Sequence, residues 1–131
     1  MAYKRSLLTG GGETHTIQSN TTKKEITMIG YAFCGSFCTF SQVIKEMENL
    51  KSKGYDIVPI MSFNAYSTDT RFGKAADHLA RAKEICGKDP VCTICDAEPI
   101  GPADMIDILL VAPCTGNTLA KLNLAITDTA A

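Results

Sequence analysis

The stretch "MIDILLVAPCTGNTLAKL", residues 105–122, decides how this chain is read. Its first half is an apolar run relieved only by Asp107, and such continuous apolar content predicts a strand over Ile106–Val111 that lies inside a sheet. Pro113 ends that run, and from Thr115 onward the pattern is helical. Between them lies a turn of Pro, Cys, Thr, Gly, Asn and Thr. Hydroxyls and an amide just ahead of a helix start suit an anion, because the free amide N–H groups and the helix dipole favour negative charge there. Thr115 is equally suited to cap the helix and nothing more.

Upstream, "ITMIGYAF" (residues 26–33) is a second apolar strand, followed by the turn "CGSFC". Thr39 with Gln42 has the spacing of a capping box. Phe40, Val43, Ile44, Met47 and Leu50 then repeat at helical spacing, and Gly54 is placed to end that helix. "YDIVPIMS" (55–62) predicts the next strand and "FNAYSTDTR" (63–71) a polar loop. Phe72, Ala75, Ala76, Leu79 and Ala82 mark a second amphipathic helix that Gly87 closes. "VCTICDA" (91–97) reads as a short strand and "EPIGP" (98–102) as a loop. Strand and helix alternate, which predicts an α/β fold: a parallel sheet with helices on both faces and right-handed crossovers. Residues 1–24 are polar, lack periodicity and read as a disordered or extraneous arm, leaving 25–131 as the folded domain.

Composition narrows the function classes. A net charge of -1 over 131 residues gives no electrostatic footprint for nucleic acid or an anionic membrane. No apolar run reaches the roughly 18 residues of a spanning helix, and "MAYKRSLL" is no secretory signal. The expected location is cytoplasmic. Of the six cysteines Cys92 and Cys95 have ligand-like spacing, Cys34 and Cys38 could join them only if the fold brought the pairs together, no second Cys-x-x-Cys exists, and His15 and His78 stand alone. The cysteines therefore read as free thiols, with no metal expected. His78, inside the second helix, reads as a surface or core-edge histidine.

In a parallel sheet ligands bind beyond the carboxyl ends of the strands. Three loops qualify. Cys34-Gly35-Ser36 offers a glycine for close backbone approach and a hydroxyl, although a Gly-Ser turn also serves geometry alone. It has neither the dinucleotide glycine spacing nor a Gly-Lys-Ser/Thr phosphate loop. The second loop carries Ser62, Asn64, Ser67, Thr68, Thr70 and Arg71, the last a cation suited to carboxylate or phosphate. The third is the stretch quoted first, with Thr115, Asn117 and Thr118.

These residues resemble a known family. "APCTGNTLAKL" resembles the Ala-Pro-Cys-Ser/Thr-x-x-Thr-Leu-Ala loop of the FMN-dependent flavoproteins that include phosphopantothenoylcysteine decarboxylase and flavin prenyltransferase. "CGS" resembles their Thr-Gly-Ser turn and "IMSFNA" their Ser/Thr-x-x-Ala motif. Within the family, "GYAFCGSFCTF", "STDTRFG" and "AEPIGP" resemble a branch that acts in forming a pyridine dicarboxylate in sporulating bacteria. The resemblance covers roughly residues 26–128.

The resemblance implies a Rossmann-like three-layer flavoprotein fold with FMN bound through Gly35, Ser36, Ser62, Thr115 and Thr118, and Asn117 as a further contact. It implies an oxidoreductase subunit in the mother cell, working with a nicotinamide-nucleotide subunit that could supply NAD(P), and a homo-oligomer. Arg71 is the expected clamp for a carboxylate of the substrate. A non-catalytic stabilising partner and an FMN-dependent decarboxylase are the alternatives. No motif supplies an obvious general base, so a cofactor has to accept the hydride. Family members continue beyond the position of Ala131, which implies a domain lacking its C-terminal part. On that reading strand four has no outer neighbour, and this form of the chain is unstable alone.

Overall fold

The computed structural model describes residues 2–4 and 25–131. Its four-stranded sheet has the order β1-β4-β2-β3, with β1 at Ala2–Lys4, β2 at Met28–Phe33, β3 at Asp56–Met61 and β4 at Ile108–Val111. β2 pairs in parallel with both β3 and β4, so the strand predicted at 26–33 is the sheet's centre. Five of its six residues are buried, as continuous apolar content requires of a strand covered on both faces. The register runs Tyr31 to Pro59 on one side and Tyr31 to Leu110 on the other.

Asp107, the one charge in the apolar run, clamps that register. Its carboxylate accepts from the Thr27 N–H (3.0 Å), the Thr27 hydroxyl (3.2 Å) and the Met28 N–H (3.0 Å), while its own N–H donates to the Met28 carbonyl (2.9 Å). Pro59 is tolerated inside β3 for a directional reason. The Pro59 carbonyl and the Met61 N–H both bond Val91, so the missing Pro59 donor faces that sparsely paired side and the ladder to β2 is intact.

The sheet's two faces carry different cores. Tyr31, Phe33, Ile57 and Met61 point toward α1 (Phe40–Ser52), α2 (Phe63–Ser67) and α3 (Ala75–Cys86), where Phe40, Met47, Ala65, Ala82 and Cys86 complete the cluster. Phe33 and Phe40 meet edge to face at 5.8 Å, and the buried Tyr31 hydroxyl donates to the Val43 carbonyl at 2.9 Å. Burial pushes that phenol up to about 12. On the second face Ala32, Val58, Ile60 and Val111 are covered by Ile100, Ile106 and Ala130. The covering crossover includes α4 (Ile94–Ala97) and a 3-10 turn at Glu98–Ile100. Gly30 lets this layer sit close, since a Cβ would lie 2.7 Å from the Ile106 Cδ1 and that side chain would have to shift.

Several expectations are corrected. "VCTICDA" is no strand: Val91 makes one isolated bridge to Ile60, and Thr93 then caps α4, accepting from the Asp96 N–H at 3.1 Å. The loop at 63–71 begins with α2, five residues long and too short to show a period, capped by Ser62. Thr39 forms no capping box; its hydroxyl donates instead to the Ser36 carbonyl (2.8 Å), because a 3-10 turn at Phe37–Thr39 precedes α1. β4 is not an open edge, since β1 pairs with it antiparallel from Ala2 to Lys4. The arm expected over 1–24 thus differs at those three residues, and residues 1 and 5–24 lie outside the described residues. Gly54 (φ +89) and Gly87 (φ +69) end α1 and α3 as expected. Among the described residues no three His, Cys, Asp or Glu side chains form a metal-binding group, and no helix is long and apolar enough to cross a membrane. His78 lies at the core edge, its ring 4.9 Å from that of Phe40.

α5 (Gly116–Asn123) closes with a Schellman arrangement. The Ile126 N–H reaches back to the Lys121 carbonyl (2.9 Å) and the Ala125 N–H to Leu122 (3.3 Å), with Ala125 left-handed at φ +53. Glycine is the natural occupant of such a position, so Ala125→Gly should stabilise the protein by roughly 0.5–1 kcal/mol in urea unfolding. Gly73 is the opposite case. It sits at φ +140, and a Cβ would lie 2.8 Å from the His78 Nε2. Gly73→Ala should cost roughly 2 kcal/mol or more by the same measurement, whereas Gly101→Ala, with open space around it, should cost nothing.

Candidate functional site

Because β2 lies between β3 and β4 and all three run the same way, the loops after them emerge at one edge of the sheet. The chain leaves β2 toward β3 and returns to β4 on the other side, so the crevice beside β2 is a topological switch point. A cavity of about 260 Å³ opens there, lined by Gly35, Ser62, Phe63, Asn64, Thr115, Asn117, Thr118, Lys121, Thr129 and Ala131. Five residues singled out from the sequence meet in it: Gly35, Ser62, Thr115, Asn117 and Thr118.

The local chemistry explains their placement. Ser62 ends β3 and caps α2, its oxygen accepting from the Ala65 N–H at 3.4 Å. Thr115 caps α5 and accepts from the Thr118 N–H at 3.1 Å, with the two hydroxyl oxygens 3.0 Å apart. Capping and ligand contact are therefore compatible readings of one residue: a cap oxygen that accepts keeps its own O–H to donate. The peptide between Ala112 and Pro113 is cis. Beneath the cavity the Cys34 thiol is buried; burial pushes its pKa up, while a hydrogen bond with Thr118 opposes the shift.

Two expected residues stand elsewhere. Ser36 follows Gly35 yet does not line the cavity: its carbonyl accepts from the Thr39 N–H and hydroxyl, and its own hydroxyl lies 4.0 Å from the Cys38 sulfur. Arg71 is held on the tip of a closed turn in which Thr70 and Gly73 exchange backbone bonds of 3.0 and 3.1 Å. Its guanidinium stacks 4.8 Å over the Phe72 ring, and neither residue lines the cavity. Lys121 was missed. It lies in the helical pattern after the turn, where a lysine reads as solvated surface, and only its place one turn beyond Thr118 could have drawn notice.

A second cavity of about 240 Å³ adjoins the first, sharing Phe63 and Thr129 and bounded further by Tyr66, Cys92, Thr93 and Ile94. Phe63 and Tyr66 pack edge to face at 5.5 Å. One end of the crevice thus offers small polar groups and a cation, the other two aromatic rings and Ile94 beside Thr93, Thr129 and the Asp128 carboxylate.

Known proteins resemble this chain in sequence and fold. Over 100 residues the chain is 38% identical to the B subunit of dipicolinate synthase from Bacillus subtilis (strain 168), a match covering 76% of this chain and 50% of that protein. The crystal structure of the B subunit of dipicolinate synthase from Bacillus halodurans C superposes with a TM-score of 0.68 at 33% identity, covering 79% of this chain and 53% of that one. The chain therefore spans about half the length of these relatives. The pattern of the flavoprotein family matches residues 16–131, through all three parallel strands and every loop that lines the crevice, and the chain belongs to that family.

Proposed function

We propose that this chain is the flavin-binding portion of the B subunit of a dipicolinate synthase, with FMN held in the crevice beside β2. The observation that carries the reading is the convergence of three loops, from three strands, on one cavity lined by Gly35, Ser62, Asn64, Thr115, Asn117 and Thr118. The donor set fits the group. Hydroxyls, side-chain amides and the first N–H groups of α5 suit a phosphate and a polyhydroxylated chain. At Gly35 a Cβ would meet the Asn64 Cβ at 3.6 Å, an ordinary contact, so the glycine brings its loop close to the second loop without strain. Phe63 and Tyr66 border the neighbouring cavity, whose walls suit a flat ring.

A bound flavin supplies a two-electron acceptor, which oxidation of a dihydro or hydroxy-tetrahydro dicarboxylate to dipicolinate requires. The chain's own groups bind and orient. Thr118 and Ser62 present hydroxyls to the cavity, the Thr115 cap fixes the start of α5 beside it, and Phe63 forms the wall it shares with the second cavity. The relative's name as a subunit supports an A subunit as partner in the same synthesis, with NAD(P) entering through that partner, and a role in a sporulating cell.

Purified protein incubated with FMN should show a flavin absorbance band that survives gel filtration; a chain that retains no FMN at saturating concentration would sink this reading. Thr118→Val removes one hydroxyl while its backbone N–H keeps the bond to Thr115, and should weaken FMN binding roughly fivefold, as loss of one hydrogen bond worth about 1 kcal/mol. Arg71→Ala should leave FMN affinity unchanged in the same titration, because its guanidinium lies outside the crevice. A loss matching that of Thr118→Val would place Arg71 in the flavin site.

A further inference from the structure

Among the described residues Lys121 is the only charged side chain lining the cavity; the other nine lining residues are uncharged at the side chain. Its ammonium is occupied. It bonds both carboxylate oxygens of Asp128 at 2.8 Å each. Asp128 reaches it because the Schellman turn at the end of α5 sends the chain back along the helix, the Ile126 N–H closing onto the carbonyl of Lys121 itself. The returning segment then crosses the crevice: Thr129 and Ala131 line the first cavity, and Asp128, Thr129 and Ala130 line the second. Ala130 and Ala131 also pack against the core of Ala32, Cys34 and Val111.

We infer that Lys121 is the counter-charge for the ligand's phosphate and that Asp128 holds it in reserve, an internal anion that the incoming phosphate must displace. This rests on the reading of the crevice as an FMN site and deepens it. Three features favour the exchange. A dianionic phosphate outcompetes a single carboxylate for one ammonium, since it brings more charge and more acceptor oxygens. The clasp is loose enough to open, with the Lys121 side chain 28% and the Asp128 side chain 55% exposed, and such half-solvated pairs are worth little on their own. The displaced carboxylate, already more than half exposed, loses little in solvent. The hydrogen bond from Lys121 holds the Asp128 carboxyl below its ordinary range, so Asp128 is a carboxylate at neutral pH.

Comparing FMN with riboflavin isolates the phosphate, because the two differ by that group alone. Affinities for both flavins are measured by fluorescence titration for the wild-type protein, Lys121→Gln, Asp128→Asn and the double variant, with thermal melts to show that each is folded. Lys121→Gln should weaken FMN roughly tenfold and leave riboflavin unchanged, as expected for loss of a charge-assisted contact. Asp128→Asn frees the ammonium and should tighten FMN roughly two- to fivefold, again without effect on riboflavin, and the double variant should behave as Lys121→Gln. If the wild type binds FMN and neither variant shifts the FMN to riboflavin ratio, or Asp128→Asn weakens FMN, the counter-charge assignment is overturned while the flavin site stands. If the wild type binds neither flavin, the site reading itself falls and this assignment falls with it.

Discussion

Parallel pairing of β2 with a neighbour on each side is the constraint from which the rest of this structure follows. Once β3 and β4 both run with β2, their carboxyl ends lie together, and the loops after residues 33, 61 and 111 are brought to one edge. The pairing is defended at both ends. Asp107 ties the start of β4 to the start of β2 with three accepted hydrogen bonds, and at the other end the Ala112 N–H donates to the Ala32 carbonyl and the Ser62 N–H to Phe33. A one-residue slip would exchange the two faces, setting Tyr31 and Phe33 against the thin layer and Ala32 against the helices. The crevice exists because that slip is prevented.

Fold and site share their parts at the helix starts. The two residues that begin α2 and α5, Ser62 and Thr115, accept from amides three positions on and so orient both helices with their first turns toward the cavity. A capping hydroxyl is a small group fixed in direction by the backbone it serves. That makes it a well-ordered wall for a ligand, and it explains why stretches that look like ordinary turn chemistry line the polar crevice at the sheet's edge.

The periphery is less self-sufficient than the centre. Leu119, Leu122, Leu124 and Ile126 are all about half exposed or more, and no residue of α5 is buried, although β4 beside it is a sheet strand. These side chains form apolar surface at the edge of the described fold. The core around Phe33, Phe40 and Met47 is closely packed, and the crevice is anchored to that part.

Local patterning determined much on its own. The continuous apolar runs at 26–33, 55–62 and 106–111 contain the strands, and the helical repeats from Phe40 and Phe72 contain helices, although the second begins at Ala75 and leaves Phe72 in the turn before it; Gly54 and Gly87 close them, because period and cap chemistry are written in neighbouring residues. Five residues that line the crevice were legible for the same reason: small residues in the loops after parallel strands come to one edge of the sheet. What the tertiary structure alone decided depends on groups far apart in the chain. Whether Ser36 or Asn64 faces the crevice follows from how a 3-10 turn and a five-residue helix close, too short for any period to report. Arg71 is carried away by the Thr70–Gly73 turn, Val91 makes one bridge instead of a strand, and Ala2–Lys4 meet β4 across the whole sequence. Lys121 enters the site through a helix-end turn that folds Asp128 back upon it, a contact between side chains seven residues apart that no strand or helix period encodes.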